Sequence, residues 1–181
     1  MSSPLVGQTG PFREKAPPRW NWPAMVRNRF WLIVPILGLD LALTGHLPPP
    51  LAPTSVAPVI PVWLELSETV LRVAVLGAPL LMPLSLRAPT SRPVFAVSLV
   101  GLGAYTAAWA AVVWAPTSTW STSLIGFTAL AWTSIILFVG VGLRSTMRFV
   151  PRYRPWMYLS AALLFTVVHT LPMALIWGSY Y

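Results

Sequence analysis

The sequence predicts an all-α integral membrane bundle of five transmembrane helices, N-terminus cytoplasmic and C-terminus on the opposite side. Three observations predict it. The chain is 56% hydrophobic and 9% charged, whereas a soluble domain carries about 25% charged residues. Five apolar runs approach or exceed the roughly 20 residues needed to cross a bilayer: 30–47, 62–86, 94–115, 124–143 and 156–178. The cations alternate perfectly between the segments that separate these runs, as the positive-inside rule demands.

The basic tail, residues 1–29, carries Arg13, Lys15, Arg19, Arg27 and Arg29. Its length, its polarity and the absence of an A-x-A site after the first apolar run argue against a cleavable signal, so span 1 is expected to be retained. Residues 30–181 form a single five-span membrane domain. Loop 48–61 has no cation, loop 87–93 has Arg87 and Arg92, and loop 116–123 has none. Loop 144–155 has Arg144, Arg148, Arg152 and Arg154, and the terminal GSYY has none. The net charge of +8 is therefore topological, and nucleic acid is not an expected partner.

Trp20, Trp22, Trp31 and Trp156 fall near the cytoplasmic ends of spans, and Trp63, Trp114, Trp120 and Trp177 near the outer ends. Amphipathic rings collect at headgroup level, so these eight read as anchors. Trp109 and Trp132 lie within spans and read first as packing or lipid-facing rings. The six prolines of PPPLAPTSVAPVIP predict a stiff, extended connector between spans 1 and 2. In span 3, Gly103, Ala107 and Ala111, with Ala104 and Ala108, predict close backbone approach and a central packing role. Pro35, Pro79, Pro83 and Pro172 should each loosen or kink a helix, because each removes a backbone donor. No internal repeat supports an inverted-repeat transporter.

The chain contains no cysteine. That excludes disulfides, thiol nucleophiles, cysteine-ligated clusters and covalent c-type haem attachment. Lys15 is the only lysine, so no span can carry a Schiff base.

Chemistry must then lie with a few buried polar groups. Three of the four carboxylates fall inside spans: Asp40 in FWLIVPILGLDLALTGHL, and Glu65 and Glu68 in VWLELSETVLRVAVLGAPLLMPLSL, beside Arg72. A charge at the bilayer centre costs about 2.5–3.5 kcal/mol on insertion scales, so such residues are paired, functional or both. At about 1.5 Å per residue, Asp40 lies roughly 15 Å from the cytoplasmic start of span 1. By the same count Arg72 lies roughly 21 Å up, Glu68 near 27 Å, His169 near 20 Å and His46 near 24 Å. All fall between midplane and outer boundary. Glu65, Glu68 and Arg72 share one helical face at i, i+3, i+7, and Glu68–Arg72 is an i, i+4 pair in the favourable order.

Two readings follow. In one, Arg72 neutralises Glu68 or Asp40 and the cluster only fastens spans 1 and 2. In the other, the cluster lines a polar pocket in which desolvation keeps one carboxyl protonated or poised to give up a proton. Asp40 and Glu68 are then the candidate catalytic acids, and Glu65, Arg72, Trp132 and His169 the candidate ligand contacts. His46 and His169 are a third possibility, as two axial ligands of a haem or pigment. Asp40, Glu68 and His169 show no diagnostic metal-site spacing.

The runs VPILGLDLALTGHLPPPLAP and WLELSETVLRVAVLGAPLLMPLSL resemble the first helix with its following loop, and the second or third helix, of EXPERA-domain proteins, the sigma-2 receptor and emopamil-binding protein group. FTALAWTSIILFVGVGLRS is similar to a late helix of that group, so the resemblance covers roughly residues 34–145. It implies that Asp40 and Glu68 match the family's buried acids, which face a ligand's ammonium or a carbocation-like intermediate, with Trp132 as a pocket aromatic. The chain differs in having five predicted spans rather than four, Arg72 beside the acids and no His-x-x-x-Glu pair.

The expected function is a multi-pass membrane protein whose outer-half polar pocket binds a lipid-like, isoprenoid or sterol-like ligand. Acid-catalysed isomerisation or cyclisation would be an extension. Its partners would be membrane lipids and an apolar small molecule, and no cofactor is required. The alternatives are a non-catalytic accessory subunit of a larger membrane complex and, third, a haem- or pigment-carrying subunit.

Overall fold

The computed structural model describes residues 27–48, 51, 60–84, 91–147 and 149–181, and among them every extended element is helical. α1 is Val34–Leu43, flanked by 3-10 turns Arg29–Leu32 and Thr44–His46. α2 is Val62–Gly77 and continues as the 3-10 turn Ala78–Leu81. α3 is Ser91–Trp114. Four short helices follow: α4 Thr119–Thr122, α5 Leu124–Phe127, α6 Ala129–Trp132 and α7 Ser134–Gly142. α8 is Pro155–Tyr180. Two helices, α3 and α8, are long and apolar enough to cross a membrane; Val34–His46 and Ala129–Gly142 are shorter apolar helices. The expectations placed on the basic tail before Arg27, on most of the proline connector (49–50 and 52–59) and on Arg87 and Arg148 lie outside the described residues.

The prolines act by position. Pro35 stands in the first turn of α1, where its missing N–H costs nothing. Pro79 stands where α2 tightens into a 3-10 turn, and Pro83 lies beyond the helix in an isolated antiparallel bridge to Asn28. Of these four, Pro172 alone stands deep in a helix, and α8 runs through it.

The α4–α7 segment is broken by hydroxyl residues. Ser123 caps α5, with Gly126 N–H donating to its Oγ at 3.1 Å. Thr128 and Thr133 donate back to the carbonyls of Leu124 and Ala129 at 2.8 and 2.6 Å. Such i−4 back-bonds compete with the helical ladder and bend it.

Packing is densest between α3 and α7. A Cβ at Gly101 would collide with the backbone of Leu137, and one at Gly140 with Ser98. Gly101 and Ser98 belong to a buried face of α3 that also carries Val94, Tyr105, Ala108 and Val112. Gly103 and Ala107, expected to mediate close approach, are exposed, with open space around Gly103. A strict four-residue row drifts around the 3.6-residue helix, whereas alternating steps of four and three keep one face.

α1 packs on α3, and α8 packs on α2, α6 and α7. The ring is tied at one end: Arg29 N–H donates to Met82 O at 2.9 Å and Leu84 N–H to Arg27 O at 3.0 Å. There the Arg29 guanidinium is buried and donates to the carbonyls of Val141 (2.6 Å), Leu143 (2.7 Å) and Arg144 (3.3 Å). These are orphan acceptors at the C-terminus of α7, and a cation there also meets the negative end of the helix dipole. Arg144 holds a left-handed backbone, φ 51°, which turns the chain out of α7. Burial pulls the Arg29 guanidinium below its ordinary pKa, and Tyr153 opposes the shift; an arginine stays charged regardless.

Candidate functional site

The ring leaves a cavity of about 360 Å³ between its helices. Each wall is a row of residues four apart, the spacing that stacks side chains on one helical face. Ile36, Asp40 and Thr44 come from the first segment, Arg72 and Leu76 from α2, and Tyr105 and Trp109 from α3. Leu130, Ser134 and Phe138 come from the α6–α7 stretch, and Phe165, His169 and Met173 from α8. The walls are mostly apolar, with a few convergent polar groups, the usual make-up of a small-molecule site.

Asp40 is held by neutral donors. The hydroxyl of Tyr105 and the indole N–H of Trp109, the latter at 3.2 Å, both donate to its Oδ1. The two donors lie one turn apart on α3, so a rigid helix fixes the carboxyl on the cavity wall. The Thr44 hydroxyl donates to the backbone carbonyl of Asp40, not to its carboxylate.

Glu68 is held by charge. Arg72 pairs with its Oε1 from one turn further along α2, and His169 Nδ1 reaches the same oxygen at 2.9 Å from α8. The His169 ring stacks on Phe165, centroids 5.2 Å apart and planes 7° from parallel. The four polar groups thus fall into two sets: a Glu68–Arg72–His169 cluster that neutralises itself, and an Asp40 carboxyl whose direct partners carry no charge.

Of the sequence-predicted residues, Asp40, Arg72 and His169 line the cavity, and Glu68, which does not line it, bonds Arg72 and His169. Glu65 is exposed and its side chain is not among the lining residues; its backbone carbonyl accepts from Thr69 at 2.9 Å. Trp132 is outside this cavity, donating to Ile125 O at 3.0 Å and bordering a separate shallow groove with Thr166 and Thr170. His46 is exposed in its 3-10 turn and is not on the cavity wall with His169. Among the described residues no three His, Asp or Glu side chains are grouped to hold a metal ion.

Sequence reasoning missed Tyr105 and read Trp109 first as a packing or lipid-facing ring. The signal was available: Tyr105 and Trp109 are an i, i+4 pair with two polar tips in the middle of an apolar run whose other aromatics, Phe95 and Trp114, lie at its ends. A buried Tyr or Trp finds a hydrogen-bond partner, and a lone carboxylate on a neighbouring span is such a partner.

No family model matches the chain, and neither a curated protein nor a solved structure matches it.

Proposed function

We propose that the chain is a five-span membrane protein, N-terminus cytoplasmic, whose cavity binds an apolar, lipid-like ligand through Asp40. The membrane part is supported by the two long apolar helices, with exposed aliphatic residues such as Leu163 and Val167 on α8, and by exposed aliphatic residues of the shorter ones, such as Leu41, Val70 and Val73. Perfect alternation of cationic loops supports five crossings and the orientation. The cysteine-free chain makes a direct test simple. Single-cysteine variants Thr117→Cys and Thr146→Cys should label from opposite sides, the second from the cytoplasm. Labelling of both from one side sinks this topology.

One observation carries the ligand reading. An acidic side chain, held by uncharged donors alone, fronts an apolar cavity large enough for a small molecule. A carboxyl kept only to fasten helices needs no such space. Asp40 is therefore the group best placed to meet a ligand and, only in its protonated form, to give it the proton that acid-catalysed isomerisation or cyclisation of an isoprenoid or sterol-like substrate would require. Glu68, occupied by Arg72 and His169, serves less directly. This is compatible with the resemblance of the Asp40 region to EXPERA-domain proteins.

The test is solvent extraction and mass spectrometry of the purified protein. Wild type should retain an apolar molecule. Ser134→Phe, which fills the cavity, and Asp40→Asn should each retain at least about tenfold less, the loss expected for one good interaction. Equal retention in all three would sink the ligand reading. The accessory-subunit alternative draws on the self-neutralised Glu68–Arg72–His169 cluster, which needs no ligand to account for it. Copurifying membrane subunits, with an empty cavity, would favour it.

A further inference from the structure

Glu68 does not line the cavity, yet it touches two residues that do. That position defines a role. Its Oε1 receives the Arg72 guanidinium, so Glu68 is an ionised acceptor with no proton to give. The ring nitrogen 2.9 Å away, Nδ1 of His169, must then be the donor. It carries its proton whether the imidazole is neutral or charged. Phe165 covers a face of the ring. What His169 offers the cavity is its other edge, and on that edge only Nε2 can gain or lose a proton.

We propose that Glu68, backed by Arg72, is a positioning residue that fixes His169 as the Nδ1–H form, leaving Nε2 as the ligand-contacting atom, and that the ligand's head group is a hydroxyl. The same logic governs histidines oriented by a carboxylate in metal sites and catalytic triads, where the partner of one nitrogen sets the state of the other.

The head group follows from what the lining residues have left to offer. The Tyr105, Trp109, Ser134 and Thr44 donors are already spent on Asp40 Oδ1 or on backbone carbonyls. Free capacity remains at His169 Nε2, at the second Asp40 oxygen, and at Arg72, only one of whose nitrogens meets Glu68. An ammonium that meets Asp40 also meets the Arg72 cation, and a carboxylate or phosphate that meets Arg72 also meets Asp40, so neither charge is answered without a like-charge neighbour on the same wall. Either like-charge contact is costly in an apolar site. A neutral hydroxyl donates to Nε2 and accepts from Arg72 without either cost, and its apolar body meets Leu37, Leu76 and Phe138.

The tautomer half stands on the geometry alone. The head-group half rests on the cavity being a ligand site. Nitrogen-15 NMR of the full chain, histidine-labelled in nanodiscs, separates them. There are two histidines, and His46→Gln assigns the signals. Wild type should show a protonated Nδ1 on His169. Glu68→Gln, whose amide oxygen still accepts, should keep that pattern, whereas Glu68→Ala should shift His169 toward the Nε2–H form. An unprotonated Nδ1 in wild type overturns the assignment, and that spectrum needs no variant to fold. A Glu68→Ala spectrum identical to wild type overturns it as well.

For the head group, farnesol should perturb the His169 Nε2 signal, and its methyl ether, which lacks the donor, should bind about tenfold more weakly. Equal binding of alcohol and ether, or tighter binding of farnesylamine, overturns the hydroxyl while leaving the tautomer. If none of the three binds folded wild type, the ligand reading itself fails and the hydroxyl with it.

Discussion

Arg29 and Asp40 lie eleven residues apart, the first in the 3-10 turn that leads into α1 and the second within α1, and both are polar groups inside an apolar bundle. They are satisfied in different ways. Arg29 spends its guanidinium on three backbone carbonyls at the end of α7, with its Nε left unpartnered. Backbone acceptors come with the fold and cannot be displaced by a ligand. Asp40 is satisfied by two side chains of α3 and borders open space. Side-chain partners can rotate, and a cavity leaves room for a competitor. A buried charge answered by backbone is a clamp; one answered by side chains beside a void is placed to act.

The sharpest way to break this comparison is Arg29→Met. The methionine keeps the stem but leaves the Val141, Leu143 and Arg144 carbonyls without their donor. Hydrogen bonds to a charged group are worth about 1.5–3 kcal/mol each, and buried acceptors left unmade add cost. A loss of at least about 3 kcal/mol is expected, read as a lower midpoint in denaturant titration in detergent. Ligand retention per folded molecule should be unchanged. A variant as stable as wild type would show that Arg29 is not a clamp.

Next in size is Gly101→Val. The added side chain has no space against the Leu137 backbone, so α3 and α7 must separate. Overpacking of this kind costs about 1–3 kcal/mol. Both helices wall the cavity, and Gly101 lies one turn before Tyr105, so ligand retention should fall together with the midpoint. If the midpoint falls and retention holds, the cavity does not depend on this packing.

How far the sequence reaches differs between the two regions. Asp40, Arg72 and His169 stood out because an ionisable residue in an apolar run is conspicuous; that residues four apart share a helical face follows from periodicity, but which faces meet around the cavity does not. The all-helical fold was legible in the length of the apolar runs. What hides from the sequence is pairing between distant segments. Arg29 looks like one more cation of a basic tail; only the fold brings it 112 residues along the chain to Val141. Glu65, Glu68 and Arg72 share a face by spacing, but a face is wider than one contact. Glu68 turns inward to His169, while Glu65, one turn further out, is exposed. Trp132 and Trp109 are equally apolar in context, and which of them meets a carboxylate depends on the rotation of α3 against α1.

Tyr105→Phe refines the Asp40 side. It removes one of two donors to Oδ1 without changing shape, and the lost bond to a charged acceptor should cost about 1.5 kcal/mol. Trp109 remains, so Asp40 stays on the wall but is less firmly aimed. The expected signature is a modest fall in midpoint with weaker ligand retention. Trp109→Phe should behave alike, and the double variant should lose more than the sum, because the second removal leaves the carboxyl with no donor. Strict additivity would mean that the two donors do not share one acceptor in solution.

The smallest effect on stability belongs to Asp40→Asn. The amide oxygen still accepts from Tyr105 and Trp109, and the substitution removes a charge that the bundle must otherwise desolvate. Replacing a buried charge by a neutral group of the same shape is often neutral or favourable, so the midpoint should move by less than about 1 kcal/mol in either direction. Retention of the apolar ligand should nevertheless fall, as argued above. A residue whose loss leaves the fold intact and empties the cavity is there for the cavity. If Asp40→Asn costs as much stability as Arg29→Met and retains ligand, the two charges play the same part, and the open space beside Asp40 is incidental.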